Sequence, residues 1–335
     1  MRDPVRGHLQ WAPHMAVLAV AVACGCGAGE DTSQRHPATA DSILPERAGS
    51  RVALSAAPPL GLTGIIVFHS DRENRSKLFT LDLRTGAVTR LTTGADHHDV
   101  EPSWSPSGAQ VVFASTAFDN RSYDLAVAGT NGAAMRRLTS HLAFDRHPTW
   151  TADGRSVLFS SEQDGTQAVF LVKLDTGAIT RVSPPPERAL MPAAARDGYR
   201  VAYAMGTADG LQVMLHDLRT GALQPLTRGP EGAAWPAWSP DGSRLAFTRL
   251  QREGTRIEIL DVATGAVTSL AVEGLADLRE PAWSPDGRFL VASGSATSGQ
   301  RADWNLILLE PGPPAGAFLL TSGAGNDGAP SWAPR

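Results

Sequence analysis

Six times along this chain a proline opens a short run that closes, two residues on, with tryptophan or its substitute. The runs are EPSW (Glu101 to Trp104), HPTW (His147 to Trp150), MPAA (Met191 to Ala194), WPAW (Trp235 to Trp238), EPAW (Glu280 to Trp283) and APSW (Ala329 to Trp332). Ala194 stands where the others have Trp. The prolines at 102, 148, 192, 236, 281 and 330 are 46, 44, 44, 45 and 49 residues apart. A period of this size, with several short strands per unit, means a β-propeller rather than a solenoid of helices.

One unit shows the plan. In WPAWSPDGSRLAFTR, Trp235 to Arg249, the Ser239-Pro240-Asp241-Gly242 run has the residue preferences of a type I turn. A strand around Leu245 and Phe247 follows, then a polar loop, the strand RIEILDV (Arg256 to Val262), Thr264-Gly265 and a last strand AVTSLA. That is four strands, the content of one blade. Thr85-Gly86, Asn131-Gly132, Thr176-Gly177 and Thr220-Gly221 mark the matching turn in other units, where Gly supplies the positive φ. Each anchor Pro falls at the start of a strand, where a missing N–H costs least. The Trp two residues on is expected in the packing between blades. The 33 Gly and 24 Pro residues suit many tight turns and few helices.

The two ends of the repeat region are out of register with the units. The chain enters at GIIVFHS (Gly64 to Ser70), which reads as a second strand, and leaves on APSWAPR, which reads as a first strand. Joining them makes one blade from both ends. The expected fold is therefore an all-β six-bladed β-propeller over residues 61–335, closed by pairing of its N- and C-terminal strands. Closure hides both strand edges.

Ahead of the ring, Arg2 and Arg6 precede an apolar run of nine, Met15 to Ala23, long enough for a signal h-region and too short to span a bilayer. Ala21-Val22-Ala23 before Cys24 resembles a bacterial lipobox. Residues 1–23 are read as a signal peptide, Cys24 as the lipidated residue with Cys26 as the alternative, and 24–60 as a flexible tether rich in small and polar residues. Gly25 after Cys24 favours the outer membrane, with the domain facing the periplasm and the lipid as its sole membrane contact. The net charge of −4 and the lack of a Lys/Arg block leave no footprint for nucleic acid. A monomer is expected.

The Pro-x-Trp-Ser-Pro-(Asp/Ser)-Gly runs at Pro102 to Gly108, Pro236 to Gly242 and Pro281 to Gly287, with looser copies at Pro148 and Pro192, resemble the TolB-type six-bladed propeller. The resemblance covers about residues 64 to 335. It implies the ring and no one activity, since many proteins share it. TolB carries a separate α/β domain before its propeller. Here only the tether is expected there, so a role in the Tol–Pal system is not implied.

The Ser-Pro-Asp-Gly and Thr-Gly turns are short and uniform. Connections between second and third strands vary, from DRENRS (Asp71 to Ser76) to GSATSGQRAD (Gly294 to Asp303). With the inter-blade connections they form the opposite face, where binding is expected. Residues just before each anchor Pro should approach the mouth of the central channel. The candidate ligand-binding residues there are His97, His98, Asp99, Glu101, Asp145, His147, Trp235, Arg279 and Glu280. His and carboxylate groups converging on a channel could hold a divalent metal. They could equally be loop residues paired with Arg146 and Arg279. No cofactor is otherwise expected, and no catalytic residue is assigned: neither HExxH nor GxSxG occurs. The leading reading is a non-catalytic, lipid-anchored envelope module that binds a protein or a cell-wall glycan. The alternative is a metal-assisted lyase or hydrolase at the channel mouth. The two separate on whether His98, Asp99, His147 and Glu280 share a metal-bonding point.

Overall fold

The computed structural model describes residues 48–334, apart from 56–57, 60, 120–121, 299–302, 313–314 and 324. The stretch read as a signal peptide, Cys24 and most of the stretch read as a tether lie outside the described residues. The described chain contains strands and no helix, arranged as six sheets.

Blade 1 is built from both ends of the repeat region, as the register of the sequence requires. Its inner strand is Asp327–Trp332, followed outward by Ile65–Ser70, Lys77–Asp82 and Val88–Arg90. The tail pairs antiparallel with the entry strand, Asp327 opposite Ser70 and Trp332 opposite Ile66. Blades 2 to 6 start on the inner strands Asp99–Trp104, Arg146–Trp150, Ala189–Ala194, Gly232–Trp238 and Asp277–Trp283. Each inner strand touches that of the next blade, and the sixth touches the first, so the ring closes.

Two short strands lie inside the stretch read as tether. Ala48–Val52 runs parallel to the outer strand Val267–Val272 of blade 5, and Leu54–Ser55 runs parallel to Gly316–Leu319 of blade 6. The chain thus straps the outer edges of two adjacent blades before entering blade 1. Val52 and Leu54 pack on the apolar cluster between those blades.

The core is distributed rather than central. One buried apolar cluster lies at each of the six blade junctions. The anchor tryptophans join these clusters, each less than a tenth exposed. Three also reach back by a hydrogen bond: the indole N–H of Trp150, Trp238 and Trp283 donates to the carbonyl of Ser103, Ala193 and Ala237 in the preceding blade, at 3.1, 3.2 and 3.1 Å. An amphipathic ring with one N–H suits such a junction.

The uniform turns follow from local chemistry. In the Ser-Pro-Asp-Gly turn of blade 5, Gly242 N–H donates to Ser239 O at 2.9 Å, and the Ser239 hydroxyl accepts from Arg244 N–H. Gly242 has φ 71°, which a side chain would strain.

Candidate functional site

The residue before each anchor proline carries the geometry of the channel. Glu101, His147, Met191, Trp235, Glu280 and Ala329 have φ of 54, 53, 58, 49, 58 and 45°. A non-glycine residue there is strained by roughly 1–2 kcal/mol. At every one of these positions the pairing with the second strand slips, forming a bulge. A bulge bends its strand and re-aims a side chain. The sixfold repeat of the device sets one left-handed residue on the inner strand of every blade.

A bulge also frees a backbone N–H, and here the next blade is capped by its neighbour. Ser160 Oγ on the second strand of blade 3 accepts Met191 N–H at 2.9 Å, and Thr248 Oγ1 of blade 5 accepts Glu280 N–H at 3.2 Å. His69 Nδ1 of blade 1 sits 3.5 Å from Glu101 N. Blade 2 has Ala114 at the equivalent place, with nothing to offer. There the Glu101 carboxylate takes over and accepts His147 N–H at 2.7 Å. Glu280 does the same for Ala329 N–H at 2.7 Å, held by the Ser293 hydroxyl at 2.8 Å.

The lining is divided. Blades 4 and 5 present an apolar patch in which Trp235 packs with Leu190, Met191 and Ala234. The other side is charged. Arg146 pairs with Glu101, its Nε 3.0 Å from Oε2, and its guanidinium covers the Tyr123 ring at 4.7 Å. Burial alone would raise the Glu101 carboxyl, but Arg146 and His147 hold it well below the usual carboxylate range. Burial lowers His69 and His147, with Glu280 and Glu101 opposing it for His69 and Glu101 for His147.

The other sequence-named residues fall into separate settings. Asp99 is fully buried and binds Lys77 Nζ at 3.3 Å, the Ser115 hydroxyl at 2.6 Å and His97 Nε2 at 3.2 Å. His98 accepts Ser76 N–H at 3.3 Å through Nδ1 and meets Arg75 at 3.0 Å through Nε2. Burial, then Arg75, lowers its pKa. Asp145 is fully buried at the junction of blades 2 and 3. Arg279 lays its guanidinium 3.5 Å from the Trp304 ring centroid, within the field of Glu280 and Asp277. Among the described residues, no three His, Cys, Asp or Glu side chains are placed to hold a metal, so His98, Asp99, His147 and Glu280 do not converge.

Two features on the loop face were not singled out from sequence. A cleft of about 810 Å³ opens beside blade 1, lined by Glu73, Arg75, Lys77, Arg90 and Thr93 among others. Beyond it, Leu142 is 81% and Phe144 49% exposed in the connection between blades 2 and 3. His69 was also missed, although a lone histidine in the apolar run GIIVFHS was a visible signal.

With the ring and its mouth defined, the relatives can be placed. The family model described as TolB beta propeller domain matches residues 66–234 and 184–301. The chain belongs to this family. No curated protein matches it. Among solved structures, TolB from Acinetobacter baumannii superposes with TM-score 0.69 at 20% identity, over 81% of this chain and 67% of that one. A puromycin-hydrolyzing peptidase of Mycobacterium tuberculosis gives 0.53 at 18%, covering 70% of this chain and 39% of that one. An oligogalacturonate lyase in complex with manganese gives 0.52 at 17%, over 78% and 74%. At such identities the likeness is one of fold. A TolB-like ring supports a binding or scaffold role, and the same ring also occurs in a peptidase and a lyase.

Proposed function

We propose that this TolB-family propeller is a binding module of the bacterial cell envelope, anchored through a lipid on Cys24, favoured at the outer membrane, and facing the periplasm. Its ligand is a protein segment that docks on the loop face beside the channel. The observation that carries this is the contrast on that face between spent and available groups. Glu101 and Glu280 are occupied in capping neighbouring blades, and Asp99 is neutralised by Lys77. Leu142 stands in solvent and Phe144 is half exposed, its ring against Tyr123, in the connection that leads into the inner strand of blade 3. Exposed aromatic and aliphatic side chains rimmed by polar groups are the anchors that protein partners use, and a glycan would gain less from Leu142.

The test is capture from envelope extract with the full lipidated chain and with Leu142→Asp/Phe144→Ser. The reading expects a protein retained by the wild type and lost from the variant at unchanged stability. Equal retention by both, or retention of polysaccharide alone, contradicts it.

A further inference from the structure

Three consecutive blades carry an aspartate at the same place, two residues before the bulge: Asp327 and Asp99 open their inner strands, and Asp145 directly precedes Arg146–Trp150. Each backbone N–H is held alike by the preceding blade, Asp327 by Trp304 O, Asp99 by Ser76 O and Asp145 by Tyr123 O, at 2.9, 2.9 and 2.8 Å. The cations differ. Arg72 Nη2 lies 2.8 and 2.9 Å from the two oxygens of Asp327. Lys77 Nζ lies 3.3 Å from Asp99. Asp145 has neither. In strand register, Asp124 stands opposite Ser115 as Lys77 stands opposite Ser70, so the residue that should answer Asp145 is a second carboxylate. Gln163 occupies the place of Arg72, two residues past the serine of its second strand.

Both aspartates are fully buried. No cation meets Asp145, whose only answering groups are hydroxyls; Oδ1 of Asp124 has no hydrogen-bond partner, and its Oδ2 is met by Arg137 at 2.8 Å. The hydroxyls of Ser161 and Thr139 lie beside Asp145. A buried carboxylate without a countercharge is costly even when hydroxyls meet it, and the Asp124 carboxylate adds repulsion. We propose that the junction of blades 2 and 3 is a divalent-cation site, in which Asp124 and Asp145 hold a hard ion such as calcium where the neighbouring junctions use Lys77 and Arg72. Carboxylate and hydroxyl oxygens are the donors such an ion takes, with water completing its shell. The site is separate from the channel mouth and independent of what docks there. Asp145 follows directly on Leu142 to Phe144, so ion binding also steadies that connection.

The experiment is thermal unfolding of the full chain, stripped with chelator and titrated with calcium or magnesium. Extracellular calcium modules bind near 0.1–1 mM, so a titration to about 10 mM covers the range. The wild type should gain about 3–5 °C at a hundredfold excess over Kd. Asp145→Asn should lose that gain. Asp124→Lys and Gln163→Arg, which install the cations of the neighbouring junctions, should melt no lower than the stripped wild type and ignore the ion. Asp145→Asn is nearly isosteric and decides the matter if either of these fails to fold. An unchanged wild-type melting temperature across the titration, or an equal gain in Asp145→Asn, overturns the site.

Discussion

The Glu101 carboxylate accepts the backbone N–H of His147, one blade further on, at 2.7 Å. It does so while paired with Arg146, the residue next to His147. One side chain thus satisfies a bulge, neutralises a guanidinium and ties two inner strands together. Removing it leaves a buried charge and an unpaired N–H. Glu101→Ala should therefore cost about 3–5 kcal/mol in urea unfolding. Glu101→Gln should cost less, because its amide oxygen still serves His147. Equal losses for both would mean the backbone cap contributes nothing.

The same carboxylate sets an acid limit. Its pKa is depressed on folding from the ordinary 4.5. A depressed pKa contributes stability that is complete above the unfolded value and lost as pH falls through the folded one. The wild type should lose stability below about pH 4.5 more steeply than Glu101→Gln, read from urea midpoints at a series of pH values. Parallel curves would count against the pairing.

Asp145 has the opposite sign. Burial, opposed by the Ser161 and Thr139 hydroxyls, pushes its carboxyl up from 3.8 to about 6. The native state then binds the proton more tightly, so in chelator stability falls as pH rises from about 4 to 6, by about 3 kcal/mol in all. Asp145→Asn should be more stable than the stripped wild type at pH 8 and no more stable at pH 4. A variant that is weaker at both refutes the assignment of Asp145 as an uncompensated group.

Much of this molecule was readable before its structure. Pro102, Trp104 and their repeats recur because a bulge that needs a fixed φ after it and a large ring at the blade junction leaves few choices. The entry on GIIVFHS and the exit on APSWAPR announced how the ring closes. The positions before each anchor Pro were singled out, but their left-handed backbone was hidden, because Glu, His, Met, Trp, Glu and Ala share no property that signals it. The pairing of Lys77 with Asp99 was equally hidden, since it depends on which residues two blades bring together. Residues Ala48–Val52 read as linker because parallel pairing at an outer edge demands backbone hydrogen bonds and little from side chains.

The junction tryptophans supply a third class of test. Trp283 is buried between blades 5 and 6 and donates to Ala237 O. Trp283→Phe should cost about 1 kcal/mol for the lost hydrogen bond, and Trp283→Ala about 3–5 kcal/mol for the cavity. Chemical denaturation with an unchanged slope would confirm that the loss lies in the native packing. A cost near zero for Trp283→Ala would show that the blades do not lean on this ring.

The whole account depends on the tail strand Asp327–Trp332 completing the blade that begins at Ile65. Native-state hydrogen exchange on the full chain and on a chain ending at Asn326 examines that directly. Closure predicts that Ile65–Ser70 exchanges with the slowest amides in the full chain and at least ~100-fold faster once the tail is removed, with the neighbouring junctions loosened as well. Unchanged protection of those amides in the shortened chain would contradict it.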